Sequence, residues 1–174
     1  MNVKKGDRVA IFSTSAPNWG AAYLGIVNIG VIAVPLLPDF NPLEVETILK
    51  HAEVSGIFVA EKMFSKIKDF DPSILPFVIS VKDFSFLRGT KPENMVDELP
   101  VVEVNEEDTA SIIYTSGTTG RSKGVELSHK NLVFTALQAQ TIQRVNKRDV
   151  CLSFLPLSHV YEFSLGFVLQ ILNG

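Results

Sequence analysis

"DRVAIFSTSAPNWGAAYLGIVNIGVIAVPLL", residues 7–37, indicates the fold class of this chain. Its first part, Asp7 to Ser13, is a short apolar and β-branched run that predicts a strand. Ser15 is predicted to cap the helix that follows, with Pro17 in the first turn. Gly30 is predicted to end that helix, and "VIAVPLL" predicts a second strand. The stretch therefore predicts a strand–helix–strand unit with parallel strands.

Part of this stretch is apolar enough to require a membrane check. The segment from Ala21 to Leu37 carries no charge and approaches the length of a membrane span. Pro35 interrupts it, and a helix does not run unbroken through proline. Strands covered on both faces of a parallel sheet read as continuous apolar runs. We therefore interpret the segment as a buried helix followed by a buried strand, with no transmembrane segment.

Strands and helices alternate along the rest of the chain. "FNPLEVETILKHAE" predicts a helix that Asn41 caps, with Glu44 completing a capping box. Further strands are predicted in "SGIFVAE", "FVISV", "TASIIYT" and "DVCLSFLPL", and further helices in "KMFSKIKDF", "HKNLVFTALQAQTIQRV" (capped by Ser128) and "VYEFSLGFVLQILNG". Residues 83–108 predict a surface connection with at most one short helix. This order predicts an α/β fold, in which helices flank a mainly parallel sheet and ligands lie beyond the carboxyl ends of the strands.

Composition narrows the class of protein. The 174 residues are 46% hydrophobic and 20% charged, which is typical of a soluble globular domain. The net charge is -3 and there is no basic block, so the sequence gives no sign of a nucleic-acid surface. The single cysteine, Cys151, excludes an internal disulfide and favours a reducing, cytoplasmic compartment. We expect Cys151 to be a small buried apolar residue.

The most informative motif is "IIYTSGTTGRSKGVELSH", residues 112–129. Its central part, 115–124, is predicted to leave a strand at the carboxyl edge, with 116–123 a loop. Glycines allow consecutive N–H groups to form a concave nest that suits anionic oxygen. Side-chain donors come from four hydroxyls and one ammonium, on Thr115, Ser116, Thr118, Thr119 and Lys123. Together these groups fit a polyphosphate.

The loop differs from the commoner phosphate motifs. The pattern G-x-x-x-x-G-K-[ST] needs a Gly directly before the Lys, whereas here Gly124 follows Lys123. No G-x-G-x-x-G is present either. The alternative interpretation is a flexible surface turn rich in Ser, Thr and Gly. Lys123 and the flanking strand and helix favour the phosphate loop.

Two motifs resemble those of a known family. "YTSGTTGRSKGVELSH" resembles the phosphate-binding signature of the adenylate-forming (AMP-binding) superfamily, which includes acyl-CoA synthetases, luciferases and the adenylation domains of peptide synthetases. "FLPLSHVYE", residues 154–162, resembles the motif that follows this loop in long-chain fatty acyl-CoA synthetases. The N-terminal residues are similar as well, so the resemblance covers nearly all of the chain. The family usually has Pro at the position of Ser122, and Ser leaves φ free.

The resemblance implies a long-chain-fatty-acid–CoA ligase activity. A fatty acid carboxylate attacks the α-phosphorus of ATP, and coenzyme A then displaces AMP; Mg²⁺ is implied, with unknown ligands. The residues implied to hold the β- and γ-phosphates are Thr115, Ser116, Gly117, Thr118, Thr119 and Gly120. Lys123 is implied to assist catalysis, and His159 to lie near the acyl carboxylate. A helix-start histidine that caps or packs is the alternative for His159, and we assign no catalytic role to His51, His129 or Glu162.

The resemblance also implies that residues 1–174 are one incomplete segment of an AMP-binding domain, without the C-terminal domain. The family's adenine, ribose and Mg²⁺ groups follow the second motif, so we expect the isolated chain to be inactive. Uncovered apolar surface is expected to make it self-associate, and peripheral contact with a membrane is compatible with the sequence. Two alternatives stay open: a stand-alone nucleotide- or phosphate-binding module without catalysis, and an unrelated α/β domain.

Overall fold

A computed structural model describes residues 3–91, 101–116, 122–142 and 144–173. Its strands are β1 (Arg8–Phe12), β2 (Ile32–Leu36), β3 (Gly56–Val59), β4 (Val78–Ser80), β5 (Phe86–Arg88), β6 (Thr109–Ser116) and β7 (Ser122–Ser128). They form one sheet in the order β5-β4-β3-β1-β2-β6-β7. β1, β2, β3, β4 and β6 run parallel, whereas β5 and β7 pair antiparallel at the two edges. The predicted mainly parallel sheet is confirmed.

Helices flank this sheet. They are α1 (Pro17–Asn28), α2 (Pro42–His51), α3 (Glu61–Phe64), α4 (His129–Ile142) and a π-helical segment (Glu162–Val168) that continues into α5 (Leu169–Asn173). The start of α4 agrees with the sequence, since the N–H of Asn131 donates to the hydroxyl of predicted cap Ser128 at 3.2 Å. Within the described part of the chain, no helix has both the length and the apolar composition needed to cross a membrane.

The first strand–helix–strand unit lies at the centre of the sheet. β1 pairs with β2 on one side and β3 on the other, and Val9 to Phe12 are all buried. Val9 and Ile11 face α1, while Ala10 and Phe12 face α2, so both faces of the strand are covered. This arrangement explains why β1 reads as a continuous apolar run. Gly30 ends the α1 region with a φ of 69°, a conformation that favours glycine.

Two apolar clusters stabilise the layers. The α2 cluster includes Val45, Ile48 and Leu49 of the helix, packed under β1 to β4. The α1 cluster contains Trp19, whose ring stacks on Tyr23 at a centroid distance of 5.5 Å. Phe163 of the π-helical segment packs in the same cluster, and it is 1% exposed. The helix that follows the second motif is thus fixed against α1.

The predicted cap of α1 is wrong. Pro17 lies in the first turn of α1 as predicted, but the helix begins there, its N-cap is Ala16, and no side chain caps it. Ser15 instead contacts a distant segment, since its Oγ accepts from the N–H of Leu157 at 3.1 Å. Proline at the first position has no N–H to satisfy, and the N–H of Trp19 already donates to the carbonyl of Ala16 at 3.0 Å, so fewer N–H groups of the first turn are left for a side-chain cap.

The predicted strand over 149–157 is also wrong. No strand forms there, and Val150, Leu152 and Phe154 are exposed. Cys151 is exposed rather than buried. An apolar run becomes a buried strand only where two neighbours cover it, and the interior positions of this sheet are taken by other strands.

Two edge strands were missed. Residues 83–108 were predicted to be a connection, yet 86–88 form β5, which pairs with β4; residues 92–100 lie outside the described residues. The sequence predicts a loop over 116–123 and no element over 125–127, yet β7 covers Ser122–Ser128. Both strands are antiparallel edges whose hydrogen bonds depend on a neighbour rather than on a long apolar run.

The capping box of α2 gives a direct test of the fold. Asn41 Oδ1 accepts from the N–H of Glu44 at 3.0 Å, and the Glu44 carboxylate accepts from the N–H of Asn41 at 2.8 Å. We expect Asn41→Ala to lower the free energy of unfolding by about 1 kcal/mol, because the N–H of Glu44 loses its side-chain acceptor. Asn41→Asp, which keeps a capping oxygen, is the matched control in urea unfolding of the chain. Equal stabilities of the two variants would contradict the role of the cap.

Candidate functional site

The Gly/Thr motif includes the end of β6 and the start of β7, which pair antiparallel. Thr115 pairs with Lys123 and Ser116 with Ser122, and residues 117–121, outside the described residues, connect them. β6 is parallel to β2, with Ala33 opposite Ser111. The end of β6 is therefore at the carboxyl edge of the parallel strands, where ligands bind in α/β sheets of this kind.

The structure corrects the predicted bounds of the loop. The sequence predicted a loop over 116–123, but Ser116, Ser122 and Lys123 belong to the strand ladder. The alternation of Val125 and Leu127 with polar neighbours is the signal for β7 that the sequence analysis missed. The predicted phosphate contacts of Gly117, Thr118, Thr119 and Gly120 lie outside the described residues and stay predictions.

Thr115 and Lys123 form the described part of the site. Residues directly opposite in an antiparallel pair carry their side chains on the same face, with Cβ atoms about 4.5–5.5 Å apart. Leu127, which is on this face of β7, packs against the α1 cluster. Thr115 and Lys123 are both exposed. A hydroxyl and an ammonium donor thus lie together beside the turn, on the α1 side of the sheet.

Tyr114 anchors the end of β6 from the opposite face. It is 4% exposed, and its hydroxyl lies 2.6 Å from Nδ1 of His51 in α2. Burial raises the pKa of Tyr114, so the phenol keeps its proton in this hydrogen bond with the imidazole. The strand that leads into the loop is therefore tied to α2. No local pattern predicts this pair, because the two residues are 63 positions apart.

Gly124 allows Tyr114 to occupy that position. A Cβ at Gly124 would lie 2.9 Å from Cγ2 of Ile112 and 3.1 Å from Cζ of Tyr114. The glycine opposite Tyr114 thus leaves space for the ring across the hairpin. Its conformation is not of the left-handed type, so the constraint is close approach rather than φ.

The second motif reaches the same edge of the sheet. Ser15, in the turn after β1, accepts from the N–H of Leu157 at 3.1 Å and donates to the carbonyl of Leu155 at 3.4 Å. These bonds join the carboxyl end of β1 to the segment that carries His159. β2 separates β1 from β6 in the sheet. The fold thus brings both sequence motifs to one edge.

His159 stands at the start of the last helix. Its carbonyl accepts from the N–H of Phe163 at 2.9 Å, and its Nδ1 accepts from the N–H of Tyr161 at 3.3 Å. These bonds agree with the alternative in which His159 caps the start of the helix. Because Nδ1 accepts a hydrogen bond, the ring proton is on Nε2, and the exposed ring keeps one N–H donor.

Glu162, to which no catalytic role was assigned, is buried in the last helix. It is 3% exposed, and its Oε1 has no hydrogen-bond partner among the described residues. The described residues hold no group of three or more metal-ligating side chains. These residues therefore build no metal site of their own, whereas Mg²⁺ that enters with ATP is held largely by phosphate oxygens and needs few protein ligands.

Comparison with known proteins identifies the family. The family model described as AMP-binding enzyme matches residues 1–174. The chain belongs to the AMP-binding enzyme family. The described geometry agrees with this assignment, because the β6–β7 pair and the segment around Leu157 lie at the same carboxyl edge of the sheet.

Relatives of this AMP-binding chain are CoA ligases of several kinds. Probable CoA ligase CCL6 from Humulus lupulus is 32% identical over 184 residues, covering 92% of this chain and 28% of that protein. Long chain acyl-CoA synthetase 2 from Arabidopsis thaliana is 30% identical over 92% of this chain and 28% of its own length. 4-Coumarate--CoA ligase 1 from Petroselinum crispum is 30% identical, over 94% of this chain and 31% of that protein. The chain thus spans about a third of the length of these relatives.

Solved structures share the fold. The inhibitor-bound N-terminal domain of FACL13 from Mycobacterium tuberculosis superimposes with a TM-score of 0.81 at 24% identity, over 99% of this chain and 44% of that one. o-Succinylbenzoate coenzyme A synthetase from Bacillus subtilis, in complex with ATP and magnesium ion, superimposes with a TM-score of 0.79 at 23% identity. The match covers 99% of this chain and 34% of that one. At these identities the likeness establishes the α/β fold of the AMP-binding chain.

The close packing at Gly124 yields a prediction. Gly124→Ala is expected to lower the free energy of unfolding by about 1–3 kcal/mol, because the methyl group forces Ile112 or Tyr114 to move. Gly25→Ala is the control, since Gly25 lies within α1 with no atom within 4 Å of an added Cβ. There alanine should raise stability by up to about 1 kcal/mol.

Denaturant unfolding of both variants measures the difference. If Gly124→Ala were as stable as Gly25→Ala, the packing of Tyr114 across the hairpin would be contradicted.

Proposed function

We propose that this chain contributes the phosphate-binding site of an ATP-dependent acid–thiol ligase that activates a long-chain fatty acid. The observation that carries the proposal is the hairpin that holds Thr115 beside Lys123 at the ligand-binding edge of an AMP-binding domain. In the first step, an oxygen of the acid bonds to the α-phosphorus of ATP and the bond to pyrophosphate breaks. In the second, the thiol sulfur of coenzyme A bonds to the acyl carbon, AMP leaves and the thiol proton is released.

The proposed part of this chain in the first step is electrostatic. Donors fixed before the reaction stabilise charge without reorganising during it. The ladder fixes the backbone of Thr115 and Lys123, while their side chains stay exposed at the turn. The hydroxyl and ammonium donors are proposed to contact the β- and γ-phosphates together with residues 116–120. When bound with ATP, Mg²⁺ supplies further neutralisation of the phosphate charge.

His159 is proposed to act on the acid. Its Nδ1 is engaged by the helix start, which directs Nε2–H outward as a donor. A carboxylate that accepts this hydrogen bond would be oriented toward the α-phosphorus. The competing proposal is that His159 only organises the helix start.

The long-chain substrate is the finer part of the proposal. Its support is the motif "FLPLSHVYE". The relatives do not separate the substrate classes, because a long-chain acyl-CoA synthetase and a 4-coumarate--CoA ligase are both 30% identical. In the complete protein, kcat/KM for palmitate should exceed that for 4-coumarate. The reverse order would replace the long-chain assignment with an aryl one.

Residues 1–174 alone are proposed to lack adenylation activity, as ATP–pyrophosphate exchange would measure.

The exposed side chains of Ile142, Val150 and Leu152 support self-association of the chain, which analytical ultracentrifugation detects. The lone cysteine supports a cytoplasmic location. A stand-alone phosphate-binding module without catalysis is the alternative function, and absence of exchange activity in the complete protein would favour it.

Lys123→Ala in the complete protein tests the phosphate role. The ammonium is proposed to make a charge-assisted hydrogen bond that strengthens as pyrophosphate leaves. Because the variant loses this bond, we expect its adenylation rate to fall by roughly ten- to a hundredfold. Thioester formation from supplied acyl-adenylate should change much less, because pyrophosphate has already left. Lys147→Ala removes an exposed lysine elsewhere and serves as the control. Equal slowing of both half-reactions would instead assign Lys123 to folding or loop order.

His159→Asn separates the two proposals for the histidine. Asparagine keeps a side-chain acceptor for the N–H of Tyr161 but has no donor at the position of Nε2. If His159 binds the acyl carboxylate, adenylation should slow by roughly ten- to a hundredfold while the unfolding midpoint is retained. An unchanged adenylation rate would leave the helix-start role alone.

A further inference from the structure

A cavity separate from the phosphate loop lies between α4 and the last helix. Its volume is about 440 Å³, and its lining on one side includes Val145, Cys151, Leu152 and Phe154. Its walls are mainly apolar, with side chains from Ile142, Leu152, Phe154, Leu165 and Leu169. A space of this size and composition suits an occupant with an apolar body.

One charged side chain lines this apolar cavity. Glu162 is 97% removed from solvent, yet its Oε1 has no hydrogen-bond partner among the described residues. The carboxylate lies over Gly166, where an added Cβ would clash with Oε1. Burying a carboxylate without a partner is costly, so the carboxylate favours an occupant that supplies donors.

Gln170 indicates what kind of donor is needed. Its Nε2 donates to the carbonyl of Leu165 at 3.1 Å, so the amide oxygen is the side-chain atom left to accept. The cavity therefore offers acceptors from both Glu162 and Gln170. A metal ion would need more oxygen ligands than these two side chains provide. An organic cation with several N–H groups meets both acceptors and leaves its stem on the apolar walls.

We propose that the cavity beside Glu162 binds a guanidinium or ammonium group carried on a short alkyl stem. A free small molecule or an arginine or lysine side chain from the rest of the complete protein supplies the same chemistry. The site is independent of the proposed adenylation, since none of its lining residues belongs to the β6–β7 hairpin. Its failure would leave the phosphate site untouched.

Titration of the 174-residue chain with n-butylguanidinium, followed by NMR, tests the chemistry. We expect shifts in residues that line the cavity, and binding weakened roughly ten- to a hundredfold by Glu162→Gln. Glu61→Gln, which removes an exposed carboxylate in α3, should leave binding unchanged. Equal binding of 1-pentanol and n-butylguanidinium, or no loss in Glu162→Gln, would mean an apolar cavity only and overturn the proposal.

A second variant guards against misfolding of Glu162→Gln. Gly166→Ala keeps the charge but displaces the carboxylate, and alanine is favoured within a helix. It should also weaken n-butylguanidinium binding, and unchanged binding would overturn the proposal.

The complete protein distinguishes the two sources of the cation. Binding of the probe there indicates a free ligand. Exclusion of the probe, together with a larger loss of stability in Glu162→Gln than in Glu61→Gln, indicates a side chain of the protein itself. Exclusion of the probe without that extra loss would overturn the proposal.

Discussion

The pairing of β6 with β2 is the constraint on which the proposed site depends. It fixes where β6 ends, and the turn after Ser116 therefore lies at the carboxyl edge of the sheet. The Oγ of Ser111, buried between the strands, donates to the carbonyl of Ala33 at 3.1 Å and supports this pairing. Tyr114, held by His51, and Gly124, which leaves room for the ring, then fix the hairpin. A phosphate site built this way takes its geometry from the ladder rather than from the loop alone.

Much of this framework was predictable from the sequence. β1 and β2 are covered on both faces, so burial leaves a continuous apolar run that a single sequence shows. α2 was predictable because local residues determine its start, with Asn41, Pro42 and Glu44 within four positions. The order of these elements then determined the class of the fold, and the sequence motif at 112–129 located the candidate loop.

The errors share a physical cause, which is dependence on distant partners. Ser15 has the residue type of a cap, but its hydroxyl bonds to the segment around Leu157, 142 positions away. The run from Val150 to Phe154 has the composition of a buried strand and no neighbouring strand to pair with among the described residues. β7 forms by pairing with the edge of β6 that no other strand of the described sheet occupies. Such elements depend on tertiary contacts, which the local sequence pattern does not show.

The most direct test of the central claim is a titration of the ¹⁵N-labelled chain with magnesium pyrophosphate, followed by NMR. The ion carries the phosphate groups of the proposed leaving group without needing an adenine or acyl site. The account predicts saturable shifts concentrated at residues 115–124, reduced in the Lys123→Ala variant relative to Lys147→Ala. Shifts confined to other parts of the surface, or identical titrations of the two variants, would contradict a phosphate site at the β6–β7 hairpin.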